Sequence, residues 1–126
     1  MLFVVRGLDA DSKGVYIRLR ILDKYPARSV KTRDGETHKI VEALAGDRTG
    51  AITLSLWDEL GEGIEPDDLV DLSNAYTNRF RGRLCINVGR FGSLAKVEDP
   101  SFPSREQILG RFRRRRRRSK KINSLN

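Results

Sequence analysis

The chain contains few of the residues on which many protein functions depend. It has one cysteine (Cys85) and one histidine (His38) among 126 residues, which excludes a disulfide framework and a Cys/His zinc site. Aromatic residues make up only 7% of the chain, so the position of each ring is informative. No apolar run approaches the length of about 18 residues that a membrane-spanning helix needs.

The chain begins with only a short apolar run. Residues 1–5 are too few for the core of an export signal, which needs about 7–15 apolar residues. We therefore expect a cytoplasmic, nucleoid-associated protein. A length of 126 residues allows one domain with a small core.

The net charge of +8 is unevenly distributed. Residues 111–121 contain seven arginines, two lysines and no acid, which leaves 16 cations and 17 acids elsewhere. We expect a nearly neutral domain over residues 1–97, a linker over 98–110 and an arginine-rich tail over 111–126. The tail should repel itself and be disordered. It is suited to contact duplex DNA or RNA, because a run of cations binds any polyanion.

Residues 51–58 have the clearest strand pattern. The apolar residues Ile52, Leu54 and Leu56 alternate with polar ones, which predicts a strand with one buried and one solvated face. The only tryptophan, Trp57, falls on the polar face. A large ring there needs a cover, either a stacked nucleic-acid base or the end of the hydrophobic core.

Other segments also alternate. We predict strands at residues 15–24, 37–45, 69–76, 83–89 and 92–97, separated by glycine-containing turns. The inward residues of 37–45 are either Ile40 and Leu44 or Val41, Ala43 and Ala45. Residues 77–82 are expected to form a turn. With no convincing helix, this pattern predicts an all-β fold, a small closed barrel.

Three rings lie close to cations in the sequence. Trp57 is predicted to point outward, Tyr76 ends a predicted strand, and Phe80 lies in the basic segment 77–83. Such a combination suits single-stranded nucleic acid, because rings stack bases at roughly 1–3 kcal/mol each and cations hold phosphates. A second basic edge is formed by Arg28, Lys31, Arg33 and Lys39.

Several short motifs occur in a characteristic order. They are Thr32-Arg33-Asp34-Gly35, Gly46-Asp47-Arg48-Thr49-Gly50, Leu56-Trp57-Asp58-Glu59, Ala75-Tyr76, Phe80-Arg81-Gly82 and Asn87-Val88-Gly89-Arg90. Over about residues 8–97 the chain resembles the archaeal single-OB-fold single-stranded DNA-binding proteins, whose human relatives belong to a DNA-damage sensor complex. The resemblance implies a five-stranded OB-fold barrel.

The resemblance also implies roles for individual residues. The aromatic residues matching Trp57, Tyr76 and Phe80 stack on bases, and basic residues matching Arg28, Lys31 and Arg33 lie along the strand. Arg79 and Arg81 are added because of their charge. Two departures are evident: Asn87 stands near the position of an aromatic residue in the human relatives, and an arginine block replaces a tail rich in glycine, acids or proline.

We therefore expect a protein that binds single-stranded DNA with little sequence preference during replication, repair or transcription. No cofactor, metal or enzymatic activity is expected, since the acidic segment 58–68 has no neighbouring histidine or lysine to act as a base. Two alternatives remain open: an RNA-binding OB-fold module, and an assembly subunit that docks a protein on the same face.

Overall fold

The computed structural model describes residues 2–111. The disordered tail predicted for residues 111–126 therefore lies, apart from Arg111, outside the described residues. Two short 3-10 helices (Val5–Gly7 and Asp58–Gly61) and a helical segment at 105–111 accompany the strands. The strands are β1 (Leu2–Phe3), β2 (Val15–Lys24), β3 (Arg28–Lys31), β4 (Thr37–Asp47), β5 (Gly50–Trp57), β6 (Leu69–Phe80), β7 (Arg83–Val88) and β8 (Ser93–Lys96).

Five of these strands close into a barrel. Strand β2 pairs with β4, β4 with β5, and β6 with β7, all antiparallel, whereas β5 and β7 are parallel. Antiparallel pairing of β2 with β6 completes the ring. Strands β1, β3 and β8 extend the barrel at its edges. The predicted five-stranded OB-fold barrel is confirmed.

Alternation places the core where the sequence predicts it. The four apolar residues of β2 at positions 15, 17, 19 and 21 are fully buried, as are Leu54 and Leu56 of β5. In β4 the inward residues are Val41, Ala43 and Ala45. Because strand side chains alternate between faces, Ile40 and Leu44 lie on the outer face of the sheet.

Strand β6 is longer than predicted, and the expected turn at residues 77–82 is wrong. The pairing continues to Phe80, which lies opposite Arg83, and the turn consists of Arg81 and Gly82. Both turn residues have positive φ angles, 52° and 78°, as a two-residue hairpin turn requires. Inward-facing Thr77 extends the strand because its amide donates to the Ser12 carbonyl at 3.0 Å and its hydroxyl accepts from the Ser12 amide at 2.9 Å.

Residues 98–111, predicted largely as a linker, lie against the barrel. Arg18 bonds Asp99 at 3.1 Å, Arg105 donates to the Leu22 carbonyl at 2.5 Å, and Ile108 is only 4% exposed. Ser104 and Gln107 exchange hydrogen bonds at the start of the helical segment, as in a capping box. The domain boundaries at 97 and 110 stay a prediction. Among residues 2–111, the helical segments are too short or too polar to cross a bilayer.

Candidate nucleic-acid interface

A groove runs across the outer face of the sheet formed by β3, β4, β5, β7 and β6. The strand register aligns its residues in rows, because residues that pair across strands share a face. The rows are Arg28–Ile40–Trp57, then Glu42–Ser55–Asn87, then Leu44–Thr53–Cys85–Asn78, and finally Arg83–Phe80. All of these residues line one continuous depression.

Trp57 lies in this groove at the end of β5. As predicted, it is on the face opposite Ile52, Leu54 and Leu56, but the ring is half-buried instead of fully in water. His38 packs edge-on against it, with ring centroids 5.6 Å apart and planes at 68°. The His38 Nδ1 atom lies 3.1 Å from Asp58 Oδ2, so Asp58 positions the imidazole that packs against the indole.

The indole N–H of Trp57 is buried, and within residues 2–111 no acceptor lies in hydrogen-bonding range of it. A buried donor without an acceptor is costly, at about 1–3 kcal/mol. Trp57→Phe therefore removes no hydrogen bond of the described structure. That substitution is a suitable control for the role of the ring itself.

Phe80 stands at the opposite side of the groove. Its side chain is 52% exposed, which is unusual for a large apolar ring and is not required by the core. The Arg81 guanidinium lies over the ring, with its central carbon 5.2 Å from the centroid. This cation–π contact fixes a positive charge beside an exposed stacking surface.

The predicted cations divide between two locations. Arg28 and Arg81 line the groove, together with Arg83. Arg28 is bonded to Glu42, whose Oε1 atom lies 2.6 Å from Arg28 Nη2, so a carboxylate occupies part of the basic edge. In the part of the chain that the structure describes, the groove is therefore lined by three arginines and one acid.

Lys31, Arg33 and Arg79 are exposed but do not line the groove. Alternation explains two of these positions. Lys31 is one residue out of phase with Val30 on β3, and Arg79 is one residue out of phase with Phe80 on β6. Arg33 lies in the turn that follows β3.

Tyr76 lies just beyond the groove. It is on the same face of β6 as Asn78 and Phe80, and it pairs with Asn87 on β7. Its ring is 38% exposed and lines a neighbouring cleft. The structure thus brings Trp57 and Phe80 into one groove and places Tyr76 beside it.

The floor of the groove is formed by buried polar side chains. Ser55 and Asn87 are buried, and the Asn87 side-chain amide donates to Asn78 Oδ1 at 3.1 Å. Cys85 is also buried there. Burial raises the pKa of the Cys85 thiol, and the negative charge of Glu42 raises it further. The thiol therefore stays protonated at neutral pH.

Sequence reasoning missed several of the residues that line these surfaces. Tyr25, 46% exposed, lines the groove, and Phe91, 82% exposed, lines the neighbouring cleft. Arg83 and Asn87 were recognisable as outward residues of an alternating strand. Neither Tyr25 nor Phe91 belongs to such a pattern, because each lies next to a proline or glycine at the end of a strand.

A closed five-stranded barrel with an open, aromatic and basic groove across its sheet defines an OB-fold domain of the nucleic-acid-binding kind. Residues 9–96 match the family model described as single-stranded DNA binding protein Ssb-like, OB fold. The chain belongs to this family. The family is defined by binding and not by a catalysed reaction, as the sequence led us to expect.

Two relatives and one solved structure show the extent of the similarity. The single-stranded DNA binding protein Ssb of Saccharolobus solfataricus is 32% identical over 104 residues, which are 82% of this chain and 70% of that protein. An uncharacterized protein of Arabidopsis thaliana is 30% identical over 81 residues, 64% of this chain and 52% of that protein. The second OB-fold domain of replication protein A from Methanococcus maripaludis superimposes with a TM-score of 0.67 at 22% identity, covering 79% of this chain and 97% of that domain.

Proposed function

We propose that this chain binds single-stranded DNA in the groove between Trp57 and Phe80, with little sequence preference. One observation carries the proposal: three accessible rings (Tyr25, Trp57 and Phe80) and three arginines share one open groove on an OB-fold sheet. The family and the Saccharolobus solfataricus relative are both named for single-stranded DNA binding. We infer a role in protecting exposed strands during replication, repair or transcription, and the replication protein A domain shares the fold of this chain.

Each groove residue has a role that follows from its chemistry. Trp57 and Phe80 stack on bases, which is tolerant of sequence because every base has a flat face. Arg28, Arg81 and Arg83 hold phosphates. Tyr76 continues the path into the adjoining cleft. One such domain covers about 4–16 nucleotides.

Lys31, Arg33 and Arg79 act at longer range in this proposal. They are exposed on neighbouring surfaces and raise the local concentration of the strand, while the groove residues make the close contacts. Residues 111–121 add sequence-independent contacts to single strands, duplex DNA or RNA, because nine cations are concentrated there. A cytoplasmic, nucleoid-associated location remains a prediction from the sequence.

Titration of the protein with oligothymidylate, followed by tryptophan fluorescence, tests the proposal. Trp57 is the only tryptophan, so stacking of a base on it should quench the emission with a saturable curve. Trp57→Phe, measured with a labelled oligonucleotide, separates binding from the fluorescence signal. Binding without any quenching of Trp57 would contradict the assignment of the groove.

A matched oligouridylate titration separates DNA from RNA. We expect tighter binding to the DNA strand. Equal or tighter binding to RNA at several salt concentrations would favour an RNA-binding module instead. Absence of binding to either strand by residues 1–110 would favour a groove that docks a protein.

A further inference from the structure

The cleft beside the groove contains Phe91, an aromatic residue to which the family resemblance assigns no role. Phe91 is 82% exposed, the highest value among the large apolar residues of the described chain. Phe91 and Tyr76 both line the cleft. Full exposure of a phenylalanine is unfavourable unless a partner covers it.

The loop that carries Phe91 is held in position by specific contacts. The Asn74 side-chain amide donates to the Phe91 carbonyl at 3.1 Å, and the Gly92 amide donates to the Gly89 carbonyl at 3.0 Å. Asn74 has a positive φ of 51°, which asparagine tolerates better than most residues. A Cβ atom at position 92 would lie 2.8 Å from Val88 and 3.0 Å from the Ser73 carbonyl, so only glycine fits this close crossing over β6.

The charge of the cleft favours an anionic strand. Among the residues of 2–111 that line it, the charged ones are Lys13 and Arg90, and none is acidic. The Arg90 guanidinium lies over the Phe91 ring, 5.6 Å from its centroid, which repeats the arrangement of Arg81 over Phe80. In contrast, the depression beside β8 is lined by four acids and two cations: Asp67, Asp68, Glu98 and Asp99, with Arg20 and Lys96.

The cleft also lies next to the groove. Tyr76, which lines the cleft, pairs with Asn87, which lines the groove floor, and shares a face of β6 with Phe80. A strand leaving the groove along β6 therefore passes Tyr76 before it reaches Phe91. Neither ring is needed to fill the core.

We propose that Tyr76 and Phe91 form a second stacking site that takes one further base of the same single strand, with Lys13 and Arg90 holding its flanking phosphates. The inference rests on the proposed function. It assigns Phe91 as a binding residue and makes the interface longer than the groove alone. Phe91, in the 89–92 loop, is then the fourth ring assigned to base stacking, after Trp57, Tyr76 and Phe80.

Oligothymidylates of increasing length, from 4 to about 16 nucleotides, test the second site when titrated against the wild type, Phe91→Ala and Phe91→Tyr. We expect Phe91→Ala to bind the shortest strands as the wild type does. On strands long enough to span both sites it should bind about five- to a hundredfold more weakly, as for one lost stacked base. Phe91→Tyr keeps the ring and should bind normally. The melting temperature should not change, because the side chain is exposed.

A direct reporter is Phe91→Trp in the Trp57→Phe background, where the new tryptophan should be quenched only by the longer strands. Trp57→Ala distinguishes the two proposals, since it should weaken binding at every length. If Trp57→Ala weakens binding but Phe91→Ala equals the wild type at all lengths, the second site is wrong and the groove stands. If Phe91→Ala weakens binding equally at all lengths, the ring belongs to the primary site and the second site is also wrong. If Trp57→Ala binds as the wild type does, the proposed function itself fails.

Discussion

Replacing Glu42 with glutamine is expected to strengthen DNA binding and to make it more dependent on salt. Glu42 and Arg28 both line the groove, and the 2.6 Å contact between Glu42 Oε1 and Arg28 Nη2 engages the guanidinium. A phosphate must therefore displace the carboxylate, or bind beside it against its negative charge. Glu42→Gln removes that charge and leaves a side chain of nearly the same shape.

The size of the effect follows from the exposure of the pair. The Arg28 and Glu42 side chains are 48% and 30% exposed, and ion pairs of this kind contribute about 0.2–1 kcal/mol. Releasing Arg28 should therefore lower Kd by up to about fivefold at low salt. One additional neutralised phosphate should make the slope of log K against log[salt] more negative by about 0.7 for a single strand.

The assay is oligonucleotide titration at four or more salt concentrations, with Glu62→Gln as the control. Glu62 also forms an ion pair, with Lys39 at 3.9 Å, but its 65% exposed side chain lies outside the groove. The control should leave the slope unchanged. Weaker binding by Glu42→Gln would refute the reasoning, because Glu42 would then be a favourable contact to the strand. An unchanged slope would show that releasing Arg28 from Glu42 adds no phosphate contact.

Two further predictions concern the barrel and the tail. Asp71 accepts hydrogen bonds from Tyr16 at 2.9 Å and from Arg18 at 2.6 Å, so Asp71→Asn should lower the free energy of unfolding in urea at pH 7 by about 2 kcal/mol. Arg18 lowers the pKa of Asp71 in the folded state; the stabilisation is present at neutral pH and is lost as the pH falls below about 4, so an equal deficit at pH 7 and pH 2 would contradict this prediction. Deleting residues 112–126 should weaken oligonucleotide binding and make its salt dependence shallower, while the oligonucleotide still quenches Trp57 emission. Complete loss of binding would place the interface in the tail.

Much of the fold was predictable because its strands have one buried face. In β2 and β5 every second residue is apolar, so both the strand and its orientation follow from the sequence. For β4 the two registers had similar apolar content, and only its pairing with β2 and β5 distinguishes Val41 from Ile40. The end of β6 was missed because Asn78 and Gly82 favour turns, and the hydrogen bonds from the 9–12 loop that override this preference are distant in sequence.

The candidate site was only partly predictable. Alternation put Trp57 on the outer face, and the structure agrees. Phe80 was found through its arginine neighbours, although the turn assigned to it was wrong. No pattern in the sequence distinguishes Phe91, because an aromatic residue in a glycine-containing loop is as compatible with packing as with exposure. Its position depends on Asn74, 17 residues away in sequence.

Phe80→Ala, assayed for both oligonucleotide affinity and thermal stability, tests most directly whether exposed rings on the barrel bind the strand. The side chain is 52% exposed and ends its strand, so the melting temperature should stay within about 2 °C of the wild type. If the ring stacks on a base, affinity should fall by about five- to a hundredfold, with Phe80→Tyr close to the wild type. An unchanged affinity, or a loss that appears only together with unfolding of the barrel, would contradict binding by the aromatic groove.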